Sequence, residues 1–445
     1  MFSKRLKNIF TVGGLTAFSR VLGLVREMLQ SRLIGADVEQ SAFTLAFAIP
    51  NMARKLFGEG ALTAAFVPIF KGEIERGEFE AAQRLARAVL VMLVLILGAV
   101  VVLVVLGISA VLGFATELSP RTVLILRLVR ILSPYMVFIC GAAFGMGVLN
   151  ALGRFVEGAF MPAFLNFIWI AALLVLCFFP GWTLATRVTF VCWAILLGGF
   201  AQMAFLFRCM AKKGYAPFER SFSRILDAVR LRDEKVRLVW KNTAVAAVGA
   251  GAVQINYMLD QVLGQVASPW AAGVIGYAER LMDLPIGVVG VAFGTVLLPT
   301  FAGHFAKGDT LGAKKVLKTS VLQILALMIP ASVVTFFCAP WIVWLIYEGQ
   351  AFDATATVRV ARTLSVYGLG LSFVAVQKCL IPFFQAQGDM RTPLKVTVKC
   401  VILNATLNVL AVVLLPVEWR PVGLAASTSF CALIGCVLLS RSLKF

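Results

Sequence analysis

The sequence predicts an all-α polytopic membrane protein, with about twelve transmembrane helices in two pseudo-symmetric six-helix lobes around a central cavity. Three observations carry this. First, 60% of residues are hydrophobic, 14% are charged and mean hydropathy is +0.92, which excludes a soluble globular domain. The apolar runs are long and continuous, unlike the alternating segments of about 10 residues that build a β-barrel. Second, residues 43–70 are long enough as a helix to cross a hydrocarbon core of about 30 Å. Yet they hold Pro50-Asn51, Arg54-Lys55 and Gly58-Glu59-Gly60. A cation at mid-membrane costs roughly 2.5–3.5 kcal/mol, so these charges must face protein or a hydrated cavity. Residues 277–299 have the same character, with Glu279, Arg280 and Asp283 entering a run interrupted by Pro285.

The third observation is a repeat. Pro68-Ile69-Phe70-Lys71-Gly72, followed by Arg76-Gly77-Glu78, matches Pro299-Thr300-Phe301-Ala302-Gly303, followed by Lys307-Gly308-Asp309, at an offset of 231 residues. Asn150-Ala151-Leu152-Gly153-Arg154 resembles Gln385-Ala386-Gln387-Gly388-Asp389 at an offset of 235. Both matches fall on helix ends of one membrane side, which implies parallel repeats about an axis along the membrane normal.

In chain order, the basic start at Lys4, Arg5 and Lys7 precedes an apolar segment reaching residue 34. Arg20, Arg26, Glu27 and Arg32 interrupt it, so it reads as a first membrane helix rather than a signal peptide. Further helices are expected near 42–70, 84–113, 121–150, 159–180, 188–210, 239–266, 272–303, 317–346, 358–386, 393–415 and 421–440. One set of loops carries Lys71, Arg76, Arg84, Arg87, Arg154, Lys307, Lys314, Lys315, Lys318, Arg391, Lys395, Lys399, Arg441 and Lys444. The other holds Asp37, Glu39, Glu117, Glu348, Asp353 and Glu418, with few cations. The positive-inside rule then places both termini in the cytoplasm. The domains expected are an N-terminal lobe over 1–212, a basic linker over 213–238 and a C-terminal lobe over 239–445. The linker bears Arg220, Arg224, Arg230, Arg232, Lys235 and Arg237, and part of it reads as an amphipathic helix on an anionic leaflet.

The net charge of +19 belongs to these loops, and no nucleic-acid partner is expected. The nine cysteines sit nearly all in apolar runs without CxxC spacing and read as packing residues. His304 reads as structural. No Walker A loop, HExxH or credible GxSxG is present, so the chain is not expected to be an enzyme.

Arg20, Arg26, Arg54 and Arg280, brought together, would make an electropositive cleft. Guanidinium forks suit phosphate, binding it bidentately and staying charged. The alternative is that each pairs with Glu27, Glu59, Glu279 or Asp283 and holds helices together. A second cluster comprises Asp260 with Asn256 four residues earlier, Asn404 and Asn408 on one helix face, and Thr428. Its oxygens could coordinate a small cation or could serve interhelical hydrogen bonding.

These residues resemble the lipid II flippases (MurJ/MviN family) of the multidrug/oligosaccharidyl-lipid/polysaccharide exporter superfamily. The matching stretches are 18–26 (FSRVLGLVR), 49–54 (IPNMAR), 58–61 (GEGA) with 66–68 (FVP), and 277–285 (YAERLMDLP) through Leu298-Pro299. The resemblance covers essentially the whole chain. It implies movement of undecaprenyl-pyrophosphate-linked peptidoglycan precursor from the inner to the outer leaflet of a bacterial inner membrane, by alternating access between two lobes. Arg20, Arg26, Arg54 and Arg280 match the family's cavity arginines, proposed to hold the pyrophosphate, with Asn51, Glu59 and Glu279 as supporting cavity or gate residues. Some members couple to sodium, for which Asp260, Asn404, Asn408 and Thr428 are the counterparts; membrane potential is a further source of drive. No other cofactor is implied. The partners implied are lipid II, membrane lipids and cell-wall synthases. Two departures stand out. Ser41 occupies the place of a usual acid, and the family's usual fourteen helices are here twelve, without the pair that guides the polyprenyl tail. The competing readings are a flippase for another polyprenyl-linked glycan, a drug or cation antiporter of the same superfamily, and a non-transporting scaffold of a cell-wall synthesis complex. An antiporter would want acids in its cavity; a scaffold would tolerate loss of the arginines.

Overall fold

The computed structural model describes residues 2–58, 61–115, 117–216 and 233–443, and among them there is no strand. Each of the twelve expected segments is helical. They correspond to α1 (Phe2–Ile34), α2 (Val38–Ala53) with α3 (Ala61–Glu75), α4 (Phe79–Phe114), α5 (Pro120–Leu132) with α6 (Tyr135–Ala151), α7 (Phe155–Leu176) and α8 (Leu184–Ala211) in the first half. The second half holds α9 (Glu234–Ala267), α10 (Ala271–Ala306), α11 (Thr310–Tyr347), α12 (Ala354–Ala386), α13 (Arg391–Leu414) and α14 (Arg420–Ser442). Among the described residues, eight spans are long and apolar enough to cross a membrane: α4, α5 with α6, α7, α8, α11, α12, α13 and the stretch Val417–Ser442 ending in α14. The linker arginines Arg220, Arg224, Arg230 and Arg232 lie outside the described residues.

Two segments differ from a single straight helix. The stretch 42–70 is α2, then a π turn at Arg54–Gly58, then α3. Pro50 removes one backbone donor a turn before the widened stretch. Its repeat counterpart α10 runs unbroken, with Leu281, Val289 and Val291 at the positions of Pro50, Gly58 and Gly60. The stretch 121–150 breaks at Ser133-Pro134, where the Ser133 hydroxyl donates to the Val129 carbonyl at 2.6 Å. At the equivalent positions α12 carries Gly368-Leu369 and continues.

The chain forms two compact units. One comprises Met1–Ile34 and Leu45–Gln254, the other Gly35–Thr44 and Ile255–Phe445. Residues 35–44 therefore go with the second unit and 239–254 with the first. In the first unit α1 packs on α7 and α6 on α8. Phe47 lies between Tyr135 and Trp169, at ring separations of 6.0 and 5.5 Å. In the second unit α12 is the central helix, packed by α10, α11 and α14. Val360, Leu364, Tyr367, Leu371, Cys379 and Phe383 are all buried along it, as expected of a helix enclosed on several sides. Gly370 lets α14 approach, since a Cβ there would stand 2.8 Å from the Ser429 Cα. The segment 35–44 is built into the same unit. Gly35 has φ +81°, and a Cβ on it would meet the Ala351 carbonyl oxygen at 2.2 Å. The Tyr277 hydroxyl donates to the Gly35 carbonyl (3.1 Å), and the Gln265 amide donates to the Ser41 carbonyl (2.6 Å).

The repeat recurs as a side-chain device. Arg187, near the start of α8, donates to the carbonyls of Leu33 (3.0 Å), Trp182 (3.1 Å) and Pro180 (2.6 Å). Arg420, opening α14, donates to those of Ala267 (2.8 Å) and Leu415 (3.2 Å). The arginines are 233 residues apart, as are Trp182 and Leu415, while Leu33 and Ala267 are 234 apart. In each unit a guanidinium ties the end of the lobe's first helix to the start of its last, covering a terminal carbonyl of the first helix, Leu33 or Ala267, that the helix leaves without a partner.

Candidate functional site

The arginines divide between the units: Arg20, Arg26 and Arg54 belong to the first, Arg280 to the second. Arg20 is exposed on α1, while Arg26, Arg54 and Arg280 are half-buried. Arg54 stands on the π turn. Both its Nε and its Nη2 donate to the Asn51 Oδ1, at 3.0 and 2.9 Å. Asn51 thus orients this guanidinium, three residues along the same helix face. Glu59 lies outside the described residues.

Arg26 is held more closely. It forms an ion pair with Glu27, whose side chain is 6% exposed. It donates from Nη1 to the Asn166 Oδ1 (2.9 Å) and lies over the Trp169 ring, 4.2 Å from the centroid. Asn166 in turn donates to the Ser19 carbonyl at 3.0 Å. The pairing alternative weighed for each arginine is therefore present at Arg26, together with a stack of the cation–π kind. Sequence reasoning missed Asn166 and Trp169. A signal existed, because a lone amide in an apolar helix with an indole three residues on shares its face.

In the second unit the polar cluster is one connected network. Asp260 accepts from the Asn408 Nδ2 (2.5 Å) and the Asn256 Nδ2 (3.3 Å). The same Asn408 group also reaches the Asn404 Oδ1 (2.8 Å), and Asn404 donates to the Thr428 Oγ1 (3.2 Å). Asp260, Asn404 and Asn408 are 5%, 2% and 0% exposed. The Oδ1 atoms of Asn256 and Asn408 are buried without a hydrogen-bond partner, an arrangement that buried polar atoms generally avoid. The atoms here able to coordinate a cation are oxygens, and among the described residues no group of three His, Cys, Asp or Glu side chains gathers. One carboxylate with amide and hydroxyl oxygens suits a hard monovalent cation better than a divalent one. Beside it, Glu279 accepts from Gln261 (3.3 Å) and Tyr367 (3.5 Å), tying α9, α10 and α12 together. Gln261 and Tyr367 were not legible as partners, because only tertiary packing brings them to Glu279.

At the far end of α3, Glu73 is 2% exposed and accepts from the Lys235 Nζ (2.7 Å) and from Arg76 (3.2 Å). The hydrogen bond from Lys235 holds the Glu73 carboxyl below its ordinary range, against the burial that would raise it. A depressed carboxylate pKa contributes stability above the unfolded value of about 4.3, lost as pH falls through the folded one. Glu73→Gln is therefore expected to lower the midpoint of thermal unfolding in detergent at pH 7. The gap from wild type should shrink as the pH is taken below about 4. A pH-independent gap would mean that packing, not charge, is what Gln disturbs.

A duplicated bundle of membrane-crossing helices, with cations oriented among them, has the architecture of a membrane transporter. The model of the family described as Lipid II flippase MurJ matches residues 30–444, and the chain belongs to that family. A probable lipid II flippase MurJ of Rhizobium tropici is 33% identical over 411 residues, 91% of this chain and 75% of that one. The lipid II flippase MurJ of Burkholderia cenocepacia is 31% identical over 441 residues, 98% of this chain and 83% of that one. Among solved structures, a lipid II flippase MurJ in an inward closed conformation superposes with a TM-score of 0.79, at 23% identity, over 98% of this chain and 87% of that one. An inward-facing multidrug resistance MATE transporter gives 0.76 at 13% identity, over 98% and 99% of the two chains. Both share the fold.

Proposed function

We propose that the chain carries lipid II across a bacterial inner membrane by alternating access, binding its pyrophosphate through Arg20, Arg54 and Arg280. The observation that carries this reading is Arg54. It sits with Lys55 on a π turn of a membrane-length stretch, its guanidinium aligned by Asn51, and π turns often mark functional sites. A cation kept there at a cost of roughly 2.5–3.5 kcal/mol is retained for a ligand that needs it, and a planar fork fits a pyrophosphate oxygen pair. Arg26, engaged by Glu27, Asn166 and Trp169, supports the wall rather than leading the contact. In the same reading a sodium ion is held by Asp260, Asn404, Asn408 and Thr428, with the Asn408 Oδ1 as the oxygen best placed to serve it. That ion supplies a charge that couples transport to the membrane gradient. Both termini face the cytoplasm, and cell-wall synthases use the product.

The test is outer-leaflet exposure of lipid II in cells depleted of their own flippase, comparing wild type with Arg20→Ala, Arg54→Ala and Arg280→Ala at matched membrane levels. Restoration by wild type and a loss of at least about tenfold in each variant is expected, the weight of one charge-assisted bond. Variants that work as well as wild type would reduce the arginines to structural groups. A folded, inserted wild type that fails would point to another polyprenyl-linked glycan.

A further inference from the structure

The two units carry cavities at repeat-related positions, and an arginine in the first stands where the second has an aspartate. The cavity in the first unit, of about 460 Å³, lies between the start of α4 and the ends of α6 and α8, with Phe79, Glu80, Gln83, Arg154, Lys213 and Tyr215 in its lining. The one in the second unit, of about 330 Å³, lies between the start of α11, the turn from α12 to α13 and the end of α14. Gln83 corresponds to Lys314, and Arg154 to Asp389, at the same offsets of 231 and 235 that define the repeat.

In the second unit both helix starts are closed by acids of the chain itself. Asp309 accepts from the Gly312 N–H at 2.8 Å, and Asp389 accepts from the N–H groups of Arg391 and Thr392 at 3.0 Å each. In the first unit the equivalent residues are Glu78, which makes no side-chain cap, and Arg154, which cannot. So neither N-cap residue of α4 or α7 closes its helix start, though Glu157 engages a backbone N–H in the first turn of α7, and two cations stand beside the start of α4. Helix N-termini with adjacent cations favour an anion. Tyr215, in the same lining, is 6% exposed, and its hydroxyl is buried without a partner.

We propose that the cavity of the first unit is a binding site for the phosphodiester of a membrane phospholipid, separate from the transport arginines. Lys213, Arg154 and the uncapped start of α4 take the phosphate; Phe79, 62% exposed at the rim, meets the acyl end. Arg154 stays positioned by Glu157, to which its Nε donates at 2.8 Å. Glu80 at the rim disfavours a doubly charged anion and so favours a diester monoanion over free phosphate. The second unit's cavity, already closed by Asp389, is the internal control.

The experiment is native mass spectrometry of the delipidated full chain in detergent, titrated separately with phosphatidylglycerol and with inorganic phosphate. Lys213→Gln is expected to weaken the first bound lipid about tenfold, the weight of one charge-assisted bond, whereas Lys213→Arg and Lys314→Gln bind as wild type does. If Lys213→Gln binds unchanged, or Lys314→Gln loses as much, the site is not there. Displacement of the lipid from wild type by millimolar inorganic phosphate would overturn the lipid assignment. Lys213→Arg guards against misfolding, because it keeps the charge at the same place.

Discussion

Arg26→Met is expected to destabilise the protein by roughly 3–5 kcal/mol, the usual result of removing one partner from a buried ion pair. Glu27 is 5% exposed, and the substitution takes away the guanidinium bound to it. The cation also leaves the Trp169 face and the Asn166 oxygen. Replacing both partners, as Arg26→Met with Glu27→Met, should recover much of the loss, because it removes the buried charge rather than orphaning it. Arg26→Lys keeps the charge but not the planar stack or the fork, and should fall between. Thermal unfolding in detergent reads all three. A chain with Arg26→Met that unfolds like wild type yet no longer flips lipid II would move Arg26 from the wall to the substrate.

Arg187→Met and Arg420→Met should each cost roughly 1.5–3 kcal/mol, and by similar amounts. Each guanidinium spans the carbonyl at the end of one helix and those of the connection leading into its own, and no other residue type offers a fork of that reach. Lysine should rescue poorly, since a single ammonium cannot cover carbonyls on both segments. Because the two sites lie in different units, the double variant should show additive losses. A loss at one site alone would mean that the likeness between the units is geometric and not energetic.

Most of the architecture was legible because continuous hydropathy marks a membrane helix whatever its neighbours do. The breaks were not. Proline does not mark them, since Pro162, Pro285, Pro330 and Pro382 all lie inside unbroken helices. Nor do glycines after a proline mark them, since Gly287, Gly290 and Gly294 follow Pro285 within the unbroken α10. Asn404 and Asn408 could be read as a pair from their spacing, and Asp260 from its cost in an apolar run. The Glu279 partners could not, because Gln261 and Tyr367 come from other helices. Arg187 and Arg420 went unnoticed for a different reason. Their partners are backbone carbonyls, which leave no mark in a sequence, although the spacing of 233 residues falls between the two repeat offsets.

The placement of residues 35–44 bears on whether the two halves can exist as separate polypeptides. The chain passes between the compact units after Ile34, after Thr44 and within α9 after Gln254. A gene split in the basic linker would thus give a C-terminal product lacking part of its own interior, including the Gly35 carbonyl that meets Tyr277 and the Ser41 groups that meet Gln265. The N-terminal product would carry that decapeptide with nowhere to seat it. The duplication visible along the sequence is therefore not a modular one: each half is a copy of the other, yet neither is a complete folding unit without its twin.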